Sequence, residues 1–291
     1  MTIKILNRMQ PKISIITPSF NSEKTIEKTI LSVINQQTIY PLEYIVVDGG
    51  STDKTCEIVK QYATNIDIFI SEADSGAYDA MNKGIQLATG EIIGIINSDD
   101  WYLENAIKIV EQEFDKNPDL DILYSPIKNY YQGEYIATFI PGELDKLSIR
   151  FTINHPSCFI KKSAYMIAGL YNLQYQIAAD YDIILRLFIK EFKFSGIETP
   201  LAAYSLNGMS SSPLPWNRAK LIKECWQISS QASHHFKQVS NQQRIKAYLV
   251  WIINEIFALP ARYFLKPPTA RKLKSLINQY RKKSLSEYGK W

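Results

Sequence analysis

Between residues 13 and 118 short apolar runs alternate with segments of helical period. ISIIT at 13–17 is a compact β-branched run, and beyond it Ile26, Ile30, Val33 and Ile34 recur at offsets of four, three and one, the spacing of a helix with one apolar stripe. EYIVVD at 43–48 predicts a second strand, closed by GGST, and 52–62 predicts a shorter helix. DIFIS at 67–71 reads as a third strand and AYDAMNKGIQLA at 77–88 as a helix stopped by Gly90. EIIGIIN at 91–97 is a fourth strand, and 103–114 a helix ended before Pro118. Strands that are apolar throughout and separated by helical lengths predict an α/β fold, a mostly parallel sheet covered by helices on both faces.

The pattern then changes. Residues 121–139 predict a strand and a hairpin turning at Gln132-Gly133, SCFIKK at 157–162 a further strand, 180–190 a helix, and 192–206 extended chain. From Trp216 onward three helices are expected, near 216–236, 241–257 and 269–285. We therefore expect a catalytic body over 1–212 and a helical C-terminal extension over 213–291.

Ligands of open α/β sheets bind beyond the carboxyl ends of the strands. That rule gathers Thr17, Ser19 and Asn21 after the first strand, Asp48 after the second, Ser71, Glu72 and Asp74 after the third, and Asn97, Asp99 and Asp100 after the fourth. Adjacent carboxylates at a strand end repel, and a cation relieves them. Oxygen ligands of this kind suit Mg²⁺ or Mn²⁺ bridging to the phosphates of a nucleotide diphosphate. The competing reading makes Asp99 and Asp100 caps of the following helix, one solvated and one bonded to backbone amides. Asp48 ends its strand where a carboxylate could accept a proton from a base edge. Neither GxGxxG nor GxxxxGK[ST] is present, so two common phosphate-binding signatures are missing.

Five segments resemble one family, the inverting nucleotide-sugar glycosyltransferases of family 2, which have the GT-A fold. They are ITPSFN (16–21), IVVDGGSTDKT (45–55), SEADSGAYDAMNKGIQLATGEIIGIINSDD (71–100), ADYDIILRL (179–187) and LAAYSLNGMSS (201–211), in the family's order. The resemblance implies that the backbone around Pro18 to Phe20 and the side chain of Asp48 hold the base. It also implies that Asp74 and the segment to Asn82 border the nucleotide. Asn97-Ser98-Asp99 stands where the family has Asp-x-Asp, so Asp99 is the implied metal ligand and Asn97 replaces the first acid. Asp180 falls on the position of the general base. The implied activity is transfer of a sugar from a nucleotide diphosphate donor, a UDP-sugar, to a hydroxyl of a glycan or lipid-linked glycan. Two other classes remain open at this point: a nucleotidyltransferase-like enzyme on a similar sheet, and a sugar-nucleotide-binding or scaffold protein with a degenerate site.

Charge and composition refine the picture. The net charge of +4 is divided unevenly: residues 256–291 hold nine Lys or Arg and one acid, so this segment is +8 and the remainder −4. A mildly acidic body argues against a nucleic-acid partner. An apolar stripe of Ile245, Leu249, Ile252, Ile253, Ile256 and Phe257, followed by basic chain, fits either ordinary docking or peripheral contact with an anionic membrane. The run 247–265 is broken by Asn254, Glu255, Pro260 and Arg262, and MTIKILNRMQ is no signal peptide. The expectation is a cytoplasmic protein, working at the cytoplasmic face of the membrane if the stripe meets lipid; its oligomeric state is open. Cys56, Cys158 and Cys225 lack metal-ligand spacing, and His234 and His235 lack a third partner for zinc. His155 is a candidate for orienting acceptor or base, and Tyr78, Trp101 and Tyr102 for a platform under a sugar ring.

Overall fold

The computed structural model describes residues 12–206, 215–264 and 269. In chain order the elements are β1 (Ile13–Ser19), α1 (Ile26–Ile34), β2 (Leu42–Asp48), α2 (Thr55–Gln61), β3 (Ile68–Ser71), α3 (Ala77–Leu87), β4 (Ile92–Ile95), β5 (Trp101–Tyr102) and α4 (Ala106–Lys116). There follow β6 (Ile122–Tyr124), β7 (Ile127–Tyr131), β8 (Glu134–Phe139), β9 (Phe159–Lys161), α5 (Lys162–Ala168), α6 (Ala179–Ile189), β10 (Phe194–Gly196), β11 (Ala202–Ser205), α7 (Pro215–Gln231) and α8 (Asn241–Phe264). The expected α/β architecture is present. A seven-stranded sheet runs β10-β6-β9-β4-β1-β2-β3 and is parallel except for β9, which is antiparallel to both neighbours. A second sheet, β5-β11-β7-β8, adjoins it.

Alternation along the strands explains why they are apolar on both sides. Ile13, Ile15, Val46 and Ile92 point into a core with α1 and α4 (Ile26, Ile30, Val33, Ile107, Val110). Ile16, Ile45, Val47, Ile93 and Ile95 point the other way, against α3, α5 and α6 (Met81, Ile85, Tyr165, Ile183, Ile184). Each face thereby removes its branched side chains from water, the main favourable term in such a fold.

One close approach fixes how α3 lies on the sheet. A Cβ at Gly84 would stand 2.4 Å from Ile16 Cγ2, so only glycine lets the helix descend this far onto β1. Gly84→Ala is expected to destabilise the protein by about 1–3 kcal/mol through overpacking, read as a lowered midpoint in a thermal melt.

Two helices begin later than the sequence predicts. α2 starts at Thr55 because Asp53 accepts hydrogen bonds from the amide and hydroxyl of Thr55, which holds 52–54 as a turn. α4 starts at Ala106 because Trp101 and Tyr102 are taken up as β5 beside β11. The hairpin turns where expected: Gln132 and Gly133 have φ of 50° and 84°, and positive φ at both central positions matches the twist of paired strands.

Of the three helices expected in the extension, α7 and α8 are observed. The third, like the junction at 213, lies outside the described residues apart from 269. α7 is docked on the body: Cys225 and Ile228 join the core of α6, and Ser229 Oγ donates to the Ser148 carbonyl at 2.8 Å. α8 follows, with Tyr248 donating to the Ile149 carbonyl at 2.8 Å.

Candidate active site

The carboxyl ends of β1 and β2 are laced into one rim. Gly49 N–H donates to the Ser19 carbonyl at 2.8 Å, Asn21 N–H to Ser51 Oγ at 2.8 Å, and Thr52 N–H to Asn21 Oδ1 at 2.9 Å. Pro18 is buried in β1 and Phe20, immediately beyond, is 60% exposed. Asn21 takes a left-handed conformation (φ 47°), which Asn tolerates and which turns the chain away from the strand.

Asp48 is fully buried at the end of β2. One of its oxygens accepts from Ser19 and Ser51 hydroxyls, the other from the Gly50 and Ser51 amides (3.1 and 2.9 Å), Ser71 Oγ (2.8 Å) and the Cys56 thiol (3.3 Å). Burial alone would raise its pKa, but these donors outweigh it and the carboxyl sits below its ordinary range. A base edge reaching Asp48 has to displace one of the hydroxyl donors.

Asp74 approaches the same turn from β3. Its Oδ1 accepts from Gly76 N–H at 2.8 Å, and a Cβ at Gly49 would lie only 2.7 Å from its Oδ2. Gly49 is therefore what allows the acid so near the backbone of the β2 turn. Further along α3 the Asn82 side-chain amide closes a pair of hydrogen bonds with the Tyr171 backbone, both 2.9 Å, tying α3 to the segment before α6.

The two neighbouring acids after β4 have separate fates, and neither caps α4, whose preceding residue is Asn105. Asp100 is fully buried, accepting from Ser205 N–H at 2.8 Å and Asn97 Nδ2 at 3.1 Å. Burial and the charge of Asp99 push its pKa well up. Asp99 stays partly exposed, and burial raises its pKa as well, while among the described residues only its own backbone amide supports its charge. One acid is thus an internal tie between the β4 loop, Asn97 and β11, and the other stays partly exposed. No group of three or more His, Cys, Asp or Glu side chains converges among the described residues. A cation at this rim would rest on Asp99 with oxygens supplied by ligand and water, a donor set that suits Mg²⁺ or Mn²⁺.

Asp180 stands in the first turn of α6. Its Oδ1 accepts from Tyr181 N–H at 2.9 Å and lies 3.4 Å from the Tyr78 hydroxyl. Tyr78 opens α3, directly past the carboxyl end of β3, so this contact brings Asp180 to the rim that carries Asp48, Asp74 and Asp99. The carboxyl is recessed yet retains some exposure, and burial raises its pKa from 3.8 to about 6. Asp182 is engaged otherwise: it pairs with Arg186 at 2.9 Å, the expected i,i+4 partner.

Behind Asp180 lies an aromatic stack that no local sequence signal marks. Tyr78 stacks on Tyr171 with ring centroids 5.4 Å apart, and the Tyr171 hydroxyl bonds both His155 Nε2 and Tyr165. His155 is 7% exposed and burial lowers its pKa to about 4. It is a neutral support of Tyr171, two side chains removed from Asp180. The expected sugar platform needs a similar correction. Tyr102 is buried against Phe159, and the Trp101 ring carries Lys28 Nζ on its face at 3.0 Å.

Comparison with known proteins identifies the family. Residues 14–162 match the family model of glycosyl transferase family 2. A PGL/p-HBAD biosynthesis glycosyltransferase of Mycobacterium tuberculosis is 32% identical over 61% of this chain and 70% of its own. Chondroitin synthase of Pasteurella multocida is 28% identical over 82% of this chain and 24% of its own. Among solved structures, S. aureus TarS 1-349 in complex with UDP-GlcNAc superposes with a TM-score of 0.59 at 18% identity, over 79% of this chain and 74% of that one. The mannosyltransferase PcManGT from Pyrobaculum calidifontis, in complex with GDP-Man and Mn²⁺, superposes with a TM-score of 0.62 at 17% identity, covering 93% of this chain and 80% of its own. The chain belongs to glycosyl transferase family 2 and is a glycosyltransferase with the GT-A fold.

Proposed function

We propose that the enzyme transfers a sugar from a nucleotide diphosphate donor, a UDP-sugar, to a hydroxyl of a glycan or lipid-linked glycan, with inversion at the anomeric carbon. The observation that carries this reading is Asp180: a recessed carboxyl with a pKa raised to about 6, tied through Tyr78 to the strand ends that bear Asp48, Asp74 and Asp99. Inversion requires a base on the face of the sugar opposite the departing diphosphate, and Asp180 takes that role by removing the proton of the acceptor hydroxyl. The backbone at Pro18 to Phe20 and the turn organised by Asp48 border the base. Asp74 and the α3 segment to Asn82 border the nucleotide. Asn97 meets ribose or a bound water, and Asp99 holds Mg²⁺ or Mn²⁺, which supplies charge stabilisation to the leaving diphosphate.

The test is a panel of UDP- and GDP-sugars with Mg²⁺ or Mn²⁺, scored for nucleotide diphosphate release and for binding by calorimetry, with the product anomer read by NMR. Turnover of a UDP-sugar to an inverted product is expected. Neither binding nor release across the panel ends the proposal.

We place the enzyme at the cytoplasmic face of a membrane, its acceptor held there by a lipid. No helix among the described residues is long and apolar enough to cross a bilayer, but α8 leaves Leu249, Ile253, Ile256 and Phe257 between 49% and 73% exposed. Leu249 and Ile256 line an apolar groove of about 700 Å³ between α7 and α8, together with Ile222, Trp226 and Ile252 among others. An exposed apolar face beside basic chain favours anionic lipid. The triple substitution L249E/I253E/I256E is expected to abolish flotation with anionic vesicles while leaving turnover on a soluble acceptor intact. Unchanged flotation would remove lipid from this face.

A further inference from the structure

On the reading that Asp180 is the base, the segment leading into it is held by a residue of the C-terminal extension. Glu224 lies on α7, is 5% exposed, and its carboxylate accepts three successive backbone N–H groups: Gln176 at 3.1 Å, Ile177 at 2.9 Å and Ala178 at 3.0 Å. These three residues are the last before α6, and Asp180 is two residues further on. No side chain of the segment itself caps α6, and the amide of its N-cap residue Ala178, with the two amides before it, is satisfied by a carboxylate 46 residues away in sequence. The same segment is held from the opposite side, where the Tyr78 hydroxyl donates to the Ile177 carbonyl at 2.9 Å while also touching Asp180. The start of α6 is therefore clamped between α3, which belongs to the rim, and α7, which belongs to the extension.

We propose that Glu224 is a positioning residue for Asp180, and that α7 is a working part of the transferase site. Three charge-assisted bonds hold 176–178 more firmly than neutral ones would, and a shift of the base by about 1 Å is enough to reduce turnover about 10²-fold. A single carboxylate explains both features, satisfying amides that would otherwise be orphaned and coupling the two parts of the chain. It also adds negative charge near Asp180, alongside the burial that dominates its pKa. The other titratable groups around Asp180 are Tyr78 on α3, Tyr171 before α6, Cys158 before β9 and Cys225 on α7, all neutral at pH 7.

The experiment compares Glu224→Gln with Ile228→Ala in the full chain. Ile228 is a core residue one turn further along α7, and its truncation loosens the docking of the helix without touching 176–178. Glutamine fills the same space but has one oxygen and no charge. E224Q is expected to lower kcat about 10-fold, to leave the donor KM within about twofold, and to move the acid limb of the kcat profile below its wild-type position near pH 6. I228A is expected to lower the melting temperature and leave kcat and the limb in place. If E224Q and I228A lose kcat in proportion to their loss of melting temperature, with the limb unmoved in both, Glu224 is only a structural tie. An inactive D180N beside an E224Q of unaltered kcat and limb overturns this inference alone. An active D180N overturns the reading beneath it as well.

Discussion

Asp180→Asn is expected to lower turnover by about 10²-fold or more, the contribution of a positioned proton transfer, and at the same time to raise the melting temperature. The two effects have one cause. The folded-state pKa of about 6 lies above the value of 3.8 for a free carboxyl, so the ionised group opposes folding at neutral pH. This penalty fades as pH falls from 6 toward 3.8 and is absent below, because the folded protein then binds the proton more tightly than the unfolded chain does. Asparagine keeps the shape and removes the charge, releasing on the order of 1–3 kcal/mol at pH 7. Turnover of the wild type should fall as pH drops through about 6. A thermal melt at pH 7 and at pH 4.5 checks the stability half: the gap between D180N and wild type should narrow at the lower pH. D180N with normal turnover would remove Asp180 from the chemistry.

Asp99→Asn is expected to produce a loss of comparable size through the other side of the reaction. Among the described residues only the backbone amide of Asp99 supports its charge, and on the proposed reading its removal takes away the carboxylate that would hold the cation at the diphosphate. A loss of about 10²-fold or more in turnover is expected, with a higher Mn²⁺ concentration needed for half-maximal rate. Asp100→Asn separates this from adjacency. It removes a buried acid but sets a donor against Asn97 Nδ2 or the Ser205 amide, so the expected signature that separates the two acids is a preserved Mn²⁺ requirement of the folded enzyme. Equal Mn²⁺ curves for D99N and wild type would exclude Asp99 as a ligand.

The sheet was legible because β1, β2 and β4 are buried on both faces and cannot be mistaken for half-wet strands. The rim followed from it, since a parallel sheet brings its carboxyl ends to one side and Asp48, Asp74 and Asp99 each sit at such an end. Other features depended on contacts that sequence distance hides. Asp99 and Asp100 are indistinguishable as neighbours in a string, and what separates them is the amide of Ser205, more than a hundred residues away. β5 is two residues long and offers no periodicity, so the second sheet is not legible in the sequence, and Tyr102, a candidate platform residue, is buried in it. Glu224 looks like any acid on a polar helix face until the three amides at 176–178 come to meet it. His155 and Tyr171 likewise reveal their link to Asp180 only through the stack on Tyr78.

Asp100 also bears on how the enzyme receives its donor. Because its two oxygens are anchored to Ser205 and to Asn97, the loop carrying Asp99 is tied to β11 and to its own first residue. On the proposed reading, a loop tied in this way needs little reorganisation when charge develops on the diphosphate. Catalysis at this rim starts from a mould already set.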